Sequence, residues 1–195
     1  GEEFLGLFSA EFIEIEDDEI EKSIKSLDKL IEKISGQVDT HNNIAKQLAI
    51  SIHGKIPIFI GSPILSSVAM RAKQQVNENS KSVAFYEQLP GMNHNVISGL
   101  EFPDNIKQNI FVVLLQSNYD YSRNKLRYQI FQTILDQKNI PYESIIIQPT
   151  ISKFSELVGV ISYVDFVSYY LSLLNNVDPT PTETIDYLND KLKKE

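Results

Sequence analysis

The 195-residue chain contains no cysteine, which excludes disulfide staples, thiolate nucleophiles and cysteine-ligated zinc. Cations are scarce as well: 18 Lys and Arg stand against 26 Asp and Glu, for a net charge of −8. A nucleic-acid backbone is a poor partner for such a chain, because neutralising phosphates takes a surplus of Lys and Arg. An anionic sugar phosphate stays open as a ligand, since backbone N–H groups can hold it locally. No glycine-rich phosphate loop of the P-loop or dinucleotide type occurs. His41 and His53 have no carboxylate or histidine at ligand spacing, so neither a metal nor a cofactor is expected. No apolar run of membrane-spanning length is read from the sequence, and the acidic N-terminus is unlike a signal peptide. The expectation is a cytoplasmic protein with no membrane and no nucleic-acid partner.

What is present suffices for one sizeable core, with 42% hydrophobic and 23% charged residues. The opening run from Gly1 to Phe8 lacks an initiator Met and enters a helix-like apolar pattern at once. It reads as part of a longer protein. An amphipathic helix is expected over Asp17–Ile34, with Ile20, Ile24, Leu27, Leu30, Ile31 and Ile34 on one face. Residues 42–53 give a second helix closed by Gly54. Short apolar runs at 56–60, 83–86, 110–115 and 145–147 read as strands. They are separated by helical patterns from Ile64 to Val76 and over 123–138, and two more helices are expected at 154–174 and 182–194. Strands alternating with helices, and apolar on both faces, argue for an α/β fold with a parallel sheet covered on each side. Ligands in such sheets sit beyond the carboxyl ends of the strands.

Two polar turns stand out near that end of the sheet. Glu78 lies between Asn77 and Asn79, and His94, sixteen residues on, lies between Asn93 and Asn95. A carboxylate and an imidazole brought together from two such turns can move a proton between carbon atoms. Each also has a plain reading: Glu78 as a solvated helix-end carboxylate, His94 as a loop histidine, and the asparagines as capping and turn residues.

The order of motifs is more specific. Arg71, N-E-N-S-K at 77–81, L-P at Leu89 and N-H-N at 93–95 are joined by G-K-I-P-I from Gly54 and V-D-P-T-P-T-E-T-I-D-Y-L from Val177 to Leu188. Together they resemble the bifunctional phosphoglucose/phosphomannose isomerases. The resemblance implies a three-layer αβα sandwich of the sugar-isomerase (SIS), flavodoxin-like type, occurring as two tandem domains. Residues 41–195 would be the second, C-terminal one, and residues 1–40 N-terminal helices linking it to a first domain. It further implies aldose–ketose isomerisation of glucose 6-phosphate or mannose 6-phosphate through a cis-enediol. Glu78 would be the base that takes and returns the carbon-bound proton, and His94 would open the ring, entering from the other subunit of a homodimer. Thr182 would lie near the sugar C2, where a small side chain leaves room for either epimer. Arg71, Asn79 and Lys193 complete the expected substrate-binding set.

Two positions depart from the family pattern. Asn189 stands where a lysine usually follows the last I-x-x-L, with Lys193 one helical turn further along. Gly91 stands where an acidic residue commonly follows L-P. The family's Ser/Thr-rich phosphate loop and its enediolate-stabilising arginine belong to the first domain and its linker, so this polypeptide alone is expected to be inactive. Two alternatives remain: a sugar-phosphate-binding module without catalysis, and a structural dimerisation domain.

Overall fold

The computed structural model describes residues 15–148 and 150–193. The apolar pattern read at residues 1–8 lies outside the described residues. Helix α1 (Asp17–Ile34) carries three acids in its first turn and Lys33 in its last, in the sense that complements the helix dipole. Its inward residues Leu30 and Ile34 are buried in the core, and the Ile34 carbonyl accepts a hydrogen bond from the Tyr170 hydroxyl at 2.6 Å. Helix α2 (Ile44–Ile52) starts two residues later than the sequence pattern because Asn43 is its cap. The Asn43 Oδ1 accepts from the N–H groups of Ala45 and Lys46 at 3.1 and 3.0 Å, while its Nδ2 donates to the Ser35 carbonyl at 3.0 Å.

After Gly54, whose φ of 76° suits only glycine at ease, the chain enters strand β1 (Ile56–Gly61). Helix α3 (Ser66–Ser80), strand β2 (Phe85–Gln88), short helices α4 (Val96–Gly99) and α5 (Ile106–Asn109), and strand β3 (Ile110–Leu115) follow. Helix α6 (Ser122–Lys138), strand β4 (Tyr142–Ile145), helix α7 (Lys153–Leu174) and helix α8 (Glu183–Leu192) complete the chain. The four strands form one parallel sheet in the order β2-β1-β3-β4.

Alternation along β3 sorts its side chains between two cores. Phe111, Val113 and Leu115 join Leu48, Ala69, Val76, Val160, Tyr163 and Val167 on the side of α1, α2, α3 and α7. Ile110, Val112 and Leu114 join Tyr128, Phe131 and Leu135 of α6, with Leu89, Met92 and Leu100, on the other. This is the expected α/β fold with helices on both faces. Each fully buried aliphatic or aromatic side chain contributes about 1.5–3 kcal/mol by leaving water. Gly61 is required by close approach: a Cβ there would stand 2.6 Å from the Leu65 carbonyl oxygen.

Three expectations are corrected. The second strand is Phe85–Gln88 rather than 83–86, because Val83 is exposed and the chain is still leaving the α3 cap there. As an edge strand it exposes Phe85 and Tyr86, so its apolar character did not report burial on both faces. The fourth strand is Tyr142–Ile145; pairing ends at Ile145, and of the next two residues only Ile147 turns into the core. The third concerns apolar length. Helix α7, at 22 residues and mean hydropathy 1.6, is long and apolar enough to cross a membrane. Half of its most apolar stretch is buried within the fold. It packs against α1, α2 and α3, so its apolar faces are those of a central core helix.

Candidate functional site

A cleft of ≈ 730 Å³ lies between the C-terminal end of α3 and the start of α8. Asn77, Glu78, Lys81 and Ser82 form one wall, and Asp178, Thr182 and Glu183 the other. Residues more than one hundred positions apart thus meet, and two residues of the expected site, Glu78 and Thr182, face the same space.

The local chain geometry explains how. Lys81 caps α3 in the left-handed region, with φ 54°, which reverses the chain and carries its side chain back across the helix end. Its ammonium donates to the Glu78 carbonyl at 2.7 Å and the Pro181 carbonyl at 2.6 Å, with the Pro179 carbonyl at 3.5 Å. One cation therefore clamps the loop before α8 over the glutamate's own helix turn. Asn175, at the end of α7, donates through Nδ2 to the Ser80 carbonyl at 2.9 Å and the Ser82 hydroxyl at 2.8 Å. Asn77 donates to the Ser82 carbonyl at 2.7 Å. Asn77, beside Glu78, thus shapes the backbone, and the exposed Glu78 side chain is left to the cleft.

The cleft's charge is lopsided. Glu78, Asp178 and Glu183 line it against the single ammonium of Lys81, itself held by carbonyls. Such a surface is a poor place for a phosphate and a suitable one for hydroxyl groups and for a base. Thr182 stands at the N-cap of α8, its hydroxyl 3.4 Å from the Asp186 carboxylate.

The other expected site residues lie elsewhere. Arg71 makes a two-pronged ion pair with Asp165 of α7, Nε to Oδ1 at 3.1 Å and Nη2 to Oδ2 at 2.8 Å. Asn79 donates to the Ser168 hydroxyl at 2.9 Å and the Gln75 side chain at 3.0 Å. Both tie α3 to α7. His94 ends the short turn Gly91–His94 after β2, exposed and outside the lining of the cleft. Lys193, at the end of α8, is exposed and 3.5 Å from Asp190. Among the described residues no cluster of three His, Asp or Glu is placed to hold a metal.

Sequence reasoning gave Lys81 no role, although it lies inside the N-E-N-S-K motif. The left-handed cap that aims it is not written in any local pattern. The asparagines Asn175 and Asn176 before V-D-P-T-P-T were the one available signal that the loop is tied down by side-chain amides.

Comparison with known proteins agrees with this fold. Residues 41–192 match the family described as "Bacterial phospho-glucose isomerase C-terminal SIS domain", and the chain belongs to that family. It is 35% identical over 181 residues to the bifunctional phosphoglucose/phosphomannose isomerase of Caldicellulosiruptor bescii, and 32% identical over 181 residues to that of Aquifex aeolicus. These matches take in 92% of this chain and 53% of each relative, so the chain spans about half the length of the curated relatives it matches. A crystal structure of a glucose-6-phosphate isomerase-like protein from Thermus thermophilus superimposes with a TM-score of 0.68. At 19% identity, it covers 87% of this chain and 56% of that one. That likeness establishes the fold.

Proposed function

We infer that this chain is the C-terminal domain of a sugar-phosphate aldose–ketose isomerase that interconverts glucose 6-phosphate or mannose 6-phosphate with fructose 6-phosphate. The observation that carries the reading is the cleft in which Glu78 and Thr182, from motifs about one hundred residues apart, face one space in a domain of this family. The Glu78 carboxylate takes the proton from C2 of the open-chain aldose; the C–H electron pair forms the C1–C2 double bond as the C1 carbonyl π pair moves onto O1, which gains a proton from water to give a cis-enediol. The C2 hydroxyl then gives its proton to water and becomes the carbonyl as the C1–C2 π pair takes the proton back from Glu78 at C1, which gives the ketose. Thr182 contacts the C2 region from across the cleft. Because the cleft wall is anionic, the substrate phosphate is held by the other half of the full-length protein, whose docking also screens Glu78 from water. His94, outside the cleft in a single chain, reaches it from the second subunit of a homodimer and carries the ring-opening proton, since an imidazole exchanges protons near neutral pH. Arg71 and Asn79 serve by fixing α3, and therefore Glu78, against α7.

The test is an assay of the full-length protein with both sugar phosphates, combined with mixed dimers. Glu78→Gln and His94→Ala chains should each be inactive as homodimers and recover part of the activity when mixed, through one intact composite site. Subunit exchange verified by mass without recovery would place both residues in one subunit. A second reading, a sugar-phosphate-binding domain without catalysis, is favoured by the engagement of Arg71 and Asn79 with α7 and by Asn189. A full-length protein that binds fructose 6-phosphate but turns over neither aldose would select it.

A further inference from the structure

The fold has a second place where ligand chemistry is concentrated. The chain leaves β1 for β2 through α3 on one face, and leaves β3 for β4 through α6 on the other. Beyond the carboxyl ends of β1 and β3 the connections therefore diverge, which is where open parallel sheets form their ligand crevice. The residues there are polar and buried: Ser62 after β1, and Ser117 and Asp120 after β3.

A cluster of donors converges at this point, and a carboxylate of the protein already fills it. Glu156, in the first turn of α7, has no exposed surface. Its Oε1 accepts from the backbone N–H of Asn118 at 2.8 Å and from the Asn118 side-chain amide at 2.6 Å. Its Oε2 accepts from the Ser117 hydroxyl, which in turn accepts from the Tyr119 N–H at 3.0 Å. Gln148 steadies the Asn118 amide at 3.2 Å, and Lys125 steadies the Asn118 carbonyl at 2.8 Å. No cation pairs with Glu156 among the described residues, so amides and a hydroxyl alone meet its charge. Donors of this kind, on the loop after a strand, are what an oxyanion ligand asks for.

We propose that Glu156 is a built-in anion occupying the ligand crevice at this sheet's switch point, a site whose donors suit a small carboxylate or phosphate. Asp120 reinforces the exclusion of outside anions: its Oδ2 accepts from the Ser117 N–H at 3.1 Å, and its Oδ1 is buried without a partner. The crevice is consequently closed to an external phosphosugar in the native chain and opens only when the carboxylate is removed.

Thermal unfolding of this chain reads the proposal without any isomerase assay. Wild type, Glu156→Ala and the control Val160→Ala, a buried apolar residue of the same helix, are compared in sodium acetate, sodium phosphate and sodium chloride at equal ionic strength. Glu156→Ala should gain at least about 3 °C in acetate over chloride, the shift that occupancy of an anion site produces. Wild type and Val160→Ala should show no such preference. An equal response in Glu156→Ala and Val160→Ala, or an equal gain in wild type, would overturn the assignment. Glu156→Gln keeps the shape and adds N–H donors that face the existing ones, so it should melt several degrees lower (about 3 °C or more) and ignore acetate. A Gln variant as stable as wild type would mean that the donors ask for no anion.

Discussion

Two glutamates of this domain sit at opposite ends of the sheet, Glu156 beyond the carboxyl end of β3 and Glu78 in the last turn of α3 where the chain returns to begin β2, and they do opposite things. Glu156 is sealed in and bonded to Ser117 and Asn118, whereas Glu78 is exposed on a cleft where its neighbours Asn77 and Lys81 are tied to backbone carbonyls. A buried carboxylate whose two oxygens both accept hydrogen bonds from the protein is not offered to a substrate, so burial and bonding make Glu156 a structural group. A carboxylate whose neighbours hold the chain and leave its oxygens unclaimed is available for chemistry. The difference lies in what the neighbouring asparagines do. Asn118 gives Glu156 a hydrogen bond from its backbone N–H and another from its side-chain amide; Asn77 and Asn79 turn their amides away from Glu78, to Ser82 and to Ser168.

The largest expected effect that would break this contrast is on turnover. In the full-length protein, Glu78→Gln should lower kcat for both aldoses by at least about 100-fold, the usual contribution of a general base. Its unfolding free energy should stay within about 0.5 kcal/mol of wild type, as for an exposed site. Steady-state kinetics and a denaturant titration check the two halves together. Near the crevice the pattern should invert. Gly61→Ala puts a Cβ against the Leu65 carbonyl and should cost about 1–3 kcal/mol of stability, as overpacking does, with kcat per folded molecule unchanged.

Lys81→Met sharpens the cleft side. It removes the cation that joins the Glu78, Pro179 and Pro181 carbonyls while keeping the aliphatic stem. Loss of the clamp should lower kcat/KM by roughly 10-fold through misplacement of the α8 start, and stability by only about 1 kcal/mol. The smallest effect concerns Glu143 of β4, whose carboxyl is held above its ordinary range by burial. The folded state then binds that proton more tightly than the unfolded chain does. Stability is therefore lost as pH rises from the ordinary carboxylate value through the raised one. Glu143→Gln should match wild type in acid and melt slightly higher at neutral pH, as thermal scans across that range will read.

The sequence revealed the parts of this molecule that repeat or alternate. Helices α1, α6 and α7 fall within a residue or so of their expected limits because each has a long apolar pattern and a clear stop. Strands β2 and β4 shifted because a short apolar run at a sheet edge does not say where pairing ends. Glu78 was legible through its motif, and so was Thr182. The expectation that Arg71 and Asn79 bind substrate came from the same motifs, yet in this chain their partners are Asp165 and Ser168, almost ninety or more residues away. No local pattern encodes such contacts. The Glu156 cluster was invisible for the same reason: a glutamate in the first turn of a helix reads as a dipole-complementing surface residue until the loop after β3 is folded onto it.

The most direct measurement is loss of the C2 label from glucose 6-phosphate deuterated at C2, followed by NMR with the full-length protein in ordinary water. Wild type should wash the deuterium out during turnover, and Glu78→Gln should retain it under conditions where it still binds the sugar. Washout by Glu78→Gln at the wild-type rate would mean that another group takes the C2 proton and that Glu78 is not the base.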